Sequence, residues 1–376
     1  MSKKIKIGFI TTSLSSADGW ASCSRGVIPA IAETHDVVVL TRKDAVNGRF
    51  SFPVHTVLPN TVRYHFSTQL GVFFPAWKHL RGCDVIHVMM EPYAPGAALA
   101  SRLLGAKFYI TVAGTYAVPP SGMNPRAFVK RQMMKFMYKT SASLASGSQR
   151  TVDMAQAVFG PIPWHFIPNG VDPTRYYRLN NTPKPEHPFI FTVGEVKPRK
   201  GADVTIQALA KIKDRFPDLE YKLVGGTGKS AFVAQLKEMI RDNGLEARVS
   251  FLGRVSDEEL LCLYNQCSAF VLAAQTRDGS FEGFPMVFYE AQAGGAPIVS
   301  TYGFGSEYVV KNGYNGYLVP ENSVDALADA IGKIVGNQDL QKTMSENSII
   351  EAKKHTWHDT AQKYINMYLK TANYVE

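Results

Sequence analysis

No two aspartates in this 376-residue chain stand two residues apart, so the metal-binding Asp-x-Asp pattern is absent. Cysteine is scarce: Cys23, Cys83, Cys262 and Cys267 are scattered through apolar segments without metal-ligand spacing. That spacing implies neither a zinc site nor a disulfide framework, and it predicts reduced, mostly buried thiols. No apolar run reaches the length needed to cross a bilayer. Met1-Ser2-Lys3-Lys4 leads at once into the strand-like Ile5-Lys6-Ile7-Gly8-Phe9-Ile10, leaving no room for a signal peptide, so the expected location is the cytoplasm. There is no internal repeat and no low-complexity tract. Acidic residues are missing from Pro92 to Val152, where Arg102, Lys107, Arg126, Lys130, Arg131, Lys135, Lys139 and Arg150 all fall.

The whole positive excess belongs to the first part of the chain. Residues 1–170 carry 18 Lys and Arg against 7 Asp and Glu, whereas residues 171–376 carry 23 against 25. A chain of this length with 45% hydrophobic residues can bury two α/β cores. Apolar β-branched runs such as Val37-Val38-Val39-Leu40, Val85-Ile86-His87-Val88 and Phe108-Tyr109-Ile110-Thr111-Val112 alternate with helix-length segments, the pattern of a parallel sheet with crossover helices. A second series starts near Phe189. Between them, Asn180 to Pro188 is polar and rich in proline, unfit for a helix or central strand. The expected organisation is a domain over 1–178, a linker over 179–188, a second domain over 189–356 and a final helix over 357–376. In doubly wound sheets ligands bind beyond the carboxyl ends of the strands, so two such domains facing one another would leave a cleft.

The richest segment runs from Phe281 to Val299. Gly283-Phe284-Pro285 reads as a tight turn that puts proline at the first position of a helix, and Gly294-Gly295 ends that helix before the strand-like Pro297-Ile298-Val299-Ser300. The free N–H groups near Phe284, Pro285, Met286 and Val287 would then form an anion site without a metal ion. Glu282 precedes the helix and Glu290 lies inside it. With the residues between them largely helical, the two carboxylates are about 12 Å apart along the axis, too far to share a proton or a metal. Each carboxylate suits a vicinal diol, as a nucleoside diphosphate sugar offers at either end. Two solvated glutamates on an amphipathic helix fit the same spacing.

Glu282 and Glu290, with Glu282-Gly283-Phe284 before and Glu290-Ala291 to Val299 after, resemble the signature of glycosyltransferase family 4, the retaining nucleotide-sugar transferases of GT-B fold. Similar segments occur in order along the chain: Asp84 to Val88, Ile167 to Asp172, Val193-Gly194 followed by Lys200-Gly201, Phe251 to Val255, and Asn312 to Val319. The resemblance implies two Rossmann-like doubly wound domains, the first binding the acceptor and the second the donor, with the helix from about Trp357 crossing back to the first. It implies transfer of a hexose or N-acetylhexosamine from a nucleoside diphosphate sugar, UDP-linked in preference to GDP-linked, to a glycan or lipid-linked glycan in cell-surface polysaccharide or lipopolysaccharide synthesis. No metal cofactor is expected.

Lys200 stands where the resemblance implies the lysine that grips the diphosphate, and Arg199 is expected to help it, because Glu195 replaces the family's arginine after the preceding glycine. Gly225 is expected beside the nucleotide, and the backbone of Arg254 and Val255 against the base. The tempting Leu223 to Ser230 is no triphosphate loop, since Leu223 stands where that motif needs glycine. In the first domain Gly19, in the loop Ala17 to Ala21, is expected near phosphate or acceptor, with Thr115 and Tyr116 as further substrate contacts. Many relatives have a histidine where Ala113 stands. His87 is its candidate substitute, although a histidine at a strand end is also a common structural group.

Glu282 would orient sugar hydroxyls, since the second carboxylate that a covalent nucleophile needs is not apparent. Ala113 and Glu195 also suit a non-catalytic GT-B binding partner, and an epimerase or phosphorylase of the same fold is a further alternative. From Arg126 to Lys139 helical spacing puts Arg131, Lys135 and Lys139 on one face and Phe128, Val129, Met133, Phe136 and Met137 on another. Two readings stay open: a helix on the inner face of an anionic membrane, and a core-facing helix with a solvated basic side. No motif for nucleic acid accompanies the charge. Tyr64, Phe66, Phe73, Phe74 and Trp77 suit a polyprenyl-diphosphate glycan or a lipopolysaccharide intermediate, or a buried core.

Overall fold

A computed structural model describes residues 4–15, 19–43, 45–119, 124–183, 185–227 and 231–371, apart from the side chains of Trp20 and Thr115. Among these residues the chain divides into two compact units, 1–170 with 357–376, and 171–356. Residues 171–178, expected with the first unit, pack with the second. Val171 donates its N–H to His355 O, Tyr176 enters the second unit's core, and Arg178 reaches Asn265 O at 3.1 Å. The proline-rich segment that follows is tied to the same unit, Leu179 N donating to Asn265 Oδ1 and Pro183 O accepting from Gln266.

The first unit is built on seven parallel strands, β1 (Lys6–Ile10), β2 (Asp36–Arg42), β3 (Val54–Leu58), β4 (Val85–Val88), β5 (Lys107–Thr111), β6 (Ser143–Ser146) and β7 (Trp164–Phe166), in the order β3-β2-β1-β4-β5-β6-β7. Register follows the apolar runs, with Ile7 opposite Val37 and Val85. Successive side chains leave opposite faces of a strand. Thus Ile10, Val38, Ile86, Val88 and Phe108 enter one core with α2 (Phe66–His79), α3 (Ala94–Leu104), α4 (Pro125–Thr140) and α5 (Gln149–Phe159). Buried Phe9, His87 and Tyr109 take the other face, toward the last helix, α12 (Trp357–Thr371), which packs on α1 (Gly19–Ala32).

The second unit has six parallel strands, β8 (Phe189–Val193), β9 (Glu220–Val224), β10 (Val249–Gly253), β11 (Ala269–Leu272), β12 (Ile298–Thr301) and β13 (Gly316–Val319), ordered β10-β9-β8-β11-β12-β13. Helices α6 (Ala202–Ile212), α7 (Ala231–Asp242) and α10 (Val324–Val335) share a core on one face. Helices α8 (Asp257–Gln266) and α9 (Val287–Ala293) share one on the other, and α11 (Gln338–Ala352) gives Met344 to the first and Ala352 to the second. Strand order reverses where β8 and β11 pair side by side, Ala269 against Ile190. The loops after those two strands therefore leave the sheet next to each other, the place where open α/β sheets bind ligands.

Candidate functional site

A 3₁₀ turn over Pro198–Lys200 follows β8 and delivers Arg199 and Lys200; the loop after β11 delivers Glu282. The loops are joined directly, Gln275 N donating to Arg199 O at 2.8 Å. Arg199 Nε lies 2.7 Å and Lys200 Nζ 3.5 Å from Glu282 Oε1, contacts of charge rather than directed hydrogen bonds. The Glu282 and Lys200 side chains are only 10% and 12% exposed, so these charges are drawn together in a poorly solvated place. Lys200 is laid over the end of β8 by Gly194, whose φ is +131° and where a β-carbon would come within 2.8 Å of Lys200 Cε. Glu195, the departure from the family pattern, pairs instead with Lys197 at 2.7 Å.

Glu290 sits in the first turn of α9, half-buried overall, and its Oε2 accepts from Tyr264 Oη at 3.0 Å. Burial raises its pKa above the usual carboxylate range, against the lowering effects of the Tyr264 hydroxyl, Arg175 and the Tyr176 hydroxyl. Glu282 and Glu290 thus have separate partners, one cationic and one phenolic. Tyr264, Tyr176 and Arg175 were not singled out from sequence. They come from α8 and from the segment after Gly170, and no local spacing links them to Glu290.

The segment between the glutamates differs from expectation. Helix α9 begins at Val287 with Met286 as its cap, so Pro285 lies before the helix rather than at its first position, and the span from Glu282 to Glu290 is not largely helical. Pro285 O accepts from Phe288 N, a turn held by Phe284 packing its ring 5.5 Å from that of Tyr289. No group among the described residues accepts from the N–H of Met286 or Val287. Gly225 ends β9 and packs so closely that a β-carbon would strike Gly194 O at 2.2 Å; its N–H donates to Gly253 O. Arg254 follows β10 with its side chain exposed, and Val255 packs against the second unit's core.

In the first unit Gly19 opens α1 immediately after the loop whose Ala17 and Asp18 lie outside the described residues, as does the Thr115 side chain. Tyr116 is 45% exposed and lines a groove. His87 is corrected: it is fully buried, its Nδ1 is 2.6 Å from Tyr368 Oη and its Nε2 is 2.9 Å from Thr111 Oγ1. Burial pulls its pKa down to about 3, so it is a neutral tie between β4, β5 and α12. Beside the Ala113 position stands Glu91, not singled out from sequence, whose buried Oε1 accepts from Ala113 N at 2.7 Å and whose pKa burial lifts to about 8. Its one outward sign is that it is the last acid before the acid-free stretch.

The profile of the family described as Glycosyl transferases group 1 matches residues 177–350, and that of Glycosyltransferase Family 4 matches residues 27–175. A D-inositol 3-phosphate glycosyltransferase of Corynebacterium urealyticum is 32% identical over 47% of this chain and 41% of its own, so the chain spans less than half of that relative's length. A GDP-mannose-dependent alpha-(1-6)-phosphatidylinositol monomannoside mannosyltransferase of Mycobacterium tuberculosis is 28% identical over 69% of each chain. The Anabaena protein HepE, solved in complex with UDP-glucose, superposes with a TM-score of 0.74 over 99% of this chain and 100% of its own at 20% identity, which speaks for the fold. With one profile on each unit and two parallel Rossmann-like sheets beneath them, the chain belongs to the family 4 glycosyltransferases of GT-B fold.

Proposed function

We propose that the protein transfers a hexose or N-acetylhexosamine from a nucleoside diphosphate sugar to a hydroxyl of a glycan or glycolipid, with retention at the anomeric carbon. The observation that carries this reading is the meeting of Arg199, Lys200 and Glu282 beyond β8 and β11, where strand order reverses. A departing diphosphate needs cations close by and poorly solvated, and this pair meets that need without a metal ion. The unpaired N–H groups of Met286 and Val287 add donors for the same anion. Glu282 then orients sugar hydroxyls, and Glu290 accepts from the ribose diol while the Tyr264 hydroxyl holds it in place.

In the transfer, the bond from the anomeric carbon to the diphosphate oxygen breaks and the acceptor oxygen bonds to that carbon on the same face. The acceptor proton passes to the departing phosphate oxygen. Arg199 and Lys200 bear the charge that develops there, a role worth on the order of 10²- to 10³-fold in rate per contact. UDP is the nucleotide we favour, as in the HepE complex, and the GDP-mannose dependence of the mycobacterial relative makes GDP the alternative.

The acceptor belongs to the basic first unit, in keeping with polysaccharide or lipopolysaccharide synthesis at the cytoplasmic face of a membrane. Among the described residues no helix is long and apolar enough to cross one. Exposed Arg131, Lys135 and Lys139 on α4 fit peripheral contact of Arg126–Lys139 with anionic lipid, at about 1 kcal/mol per charge. The test is transfer from UDP- and GDP-sugars with EDTA present, with the anomeric configuration of the product read by NMR. Retention from one nucleotide series is expected; inversion, or transfer that stops without added metal, contradicts the reading.

A further inference from the structure

A groove of about 830 Å³, wholly within the first unit, is lined by Arg63, Tyr64, Phe66, Tyr116, Arg126 and Lys130 among others. Its volume is that of a site for a small-molecule head group. No carboxylate forms an ion pair with Arg63, Arg126 or Lys130 among the described residues. The N-terminus of α4, from Pro125, opens on the same groove and adds the positive end of a 16-residue helix. Lys130 lies with Nζ 4.9 Å from the centre of the Tyr64 ring, and the acid that faces it electrostatically, Glu91, is fully buried with its pKa raised to about 8. Burial lowers the pKa of Lys130 itself, so the firmest positive charge on the lining is that of Arg63 and Arg126.

Phe66 connects this groove to a second feature. On α2, Phe66, Leu70, Phe74 and Trp77 recur at the spacing of one helical face and are 70%, 41%, 58% and 40% exposed. The opposite face, with Thr68, Gln69, Val72 and Ala76, is the one that packs into the unit. A surface helix with apolar residues on both faces has an unfilled contact. The exposed row starts in the groove and runs about 16 Å along the helix, one side chain wide. Leu99 and Leu103 of α3, which packs on α2, are exposed as well.

We propose that this groove seats the anionic head of a single-chain lipid, an isoprenoid phosphate or diphosphate bearing the acceptor sugar, and that the exposed row on α2 carries its hydrocarbon. Charge complementarity selects the phosphate, and continuity of the row with the groove selects a single attached chain over a detached apolar partner. This rests on the acceptor being a glycolipid, as in the proposed function.

The test is calorimetric titration of the full chain, saturated with UDP to fill any diphosphate site in the second unit, with inorganic diphosphate, geranyl diphosphate and farnesyl diphosphate. Farnesyl diphosphate should bind at least tenfold more tightly than inorganic diphosphate and at least threefold more tightly than geranyl diphosphate. Arg126→Ala with Lys130→Ala should weaken it at least tenfold, and Phe66→Ser with Phe74→Ser should abolish the chain-length dependence. Arg126→Ala alone, at an exposed position, serves if the double variant fails to fold, and retained UDP binding reports the fold of each. Equal binding of farnesyl and inorganic diphosphate, or chain-length dependence that survives the phenylalanine changes, overturns the proposal. Binding to phosphatidylglycerol vesicles without uptake of farnesyl diphosphate overturns it in favour of a bare membrane contact. Absence of both UDP and GDP binding alongside the expected lipid series would sink the donor reading alone.

Discussion

Arg199 Nε stands 2.7 Å from Glu282 Oε1, with Lys200 Nζ on the same oxygen at 3.5 Å. One carboxylate oxygen thus faces both cations, the pair proposed to take the diphosphate. Their removal should act on charge stabilisation rather than on the nucleoside. Lys200→Ala should lower kcat/KM about 10²- to 10³-fold while leaving the affinity for uridine, which has no phosphate, unchanged. Steady-state kinetics and calorimetry with uridine check this, and an equal loss in both would show that the lysine shapes the whole site instead.

Glu91 should give the first unit a distinct pH dependence. Its folded pKa is about 8 against an ordinary 4.5, so across that window the folded chain keeps a proton that the unfolded chain has released. The contribution of this group is fully present below pH 4.5 and is lost as pH rises toward 8. Glu91→Gln cannot ionise and should gain on the wild type with rising pH, by a few kcal/mol at pH 8. Melting temperatures from pH 5 to 8 would show the gap opening; a constant gap would contradict it.

His87 makes the opposite prediction. With its pKa near 3, the folded chain excludes a proton that the unfolded chain binds below pH 6.5, so its contribution holds above that value and falls away in acid. His87→Gln should lose about 1–3 kcal/mol of stability at neutral pH through the Tyr368 and Thr111 bonds. Turnover per folded molecule should stay within twofold. A selective rise in KM for acceptor would return this histidine to the binding site.

Gly26 should tolerate no side chain. A β-carbon there would lie 2.1 Å from the Trp357 ring, where α12 meets α1. Gly26→Ala should cost about 1–3 kcal/mol or release the last helix, as overpacking of a close contact does. Proteolysis at the C-terminal helix measures it, and unchanged protection would show that the Trp357 ring can move aside.

Much of this architecture is legible in local patterns. The runs at Val37, Val85, Phe108 and Phe189 are strands because each is apolar and β-branched or aromatic enough to be buried on both faces. Arg199 and Lys200 are legible as candidates because Gly194 and Gly201 bracket the turn after β8, and Glu282 because it stands before Gly283 in the segment that resembles the family signature. What escaped was set by distance along the chain. The role of His87 depends on Tyr368, 281 residues away, and the setting of Glu290 on Tyr264 in another helix. The start of α9 escaped for a local reason: a proline that can open a helix can equally close the turn before one, and the packing of Phe284 on Tyr289 decides between them.

Lys200 and Glu290 are proposed to form one nucleotide-sugar site in the second unit. Calorimetric titration of UDP and GDP into the wild type, Lys200→Ala and Glu290→Ala would show whether they do. One nucleotide should bind the wild type and lose at least tenfold in affinity in each variant. Binding of neither nucleotide, or equal binding to all three proteins, would rule out that site.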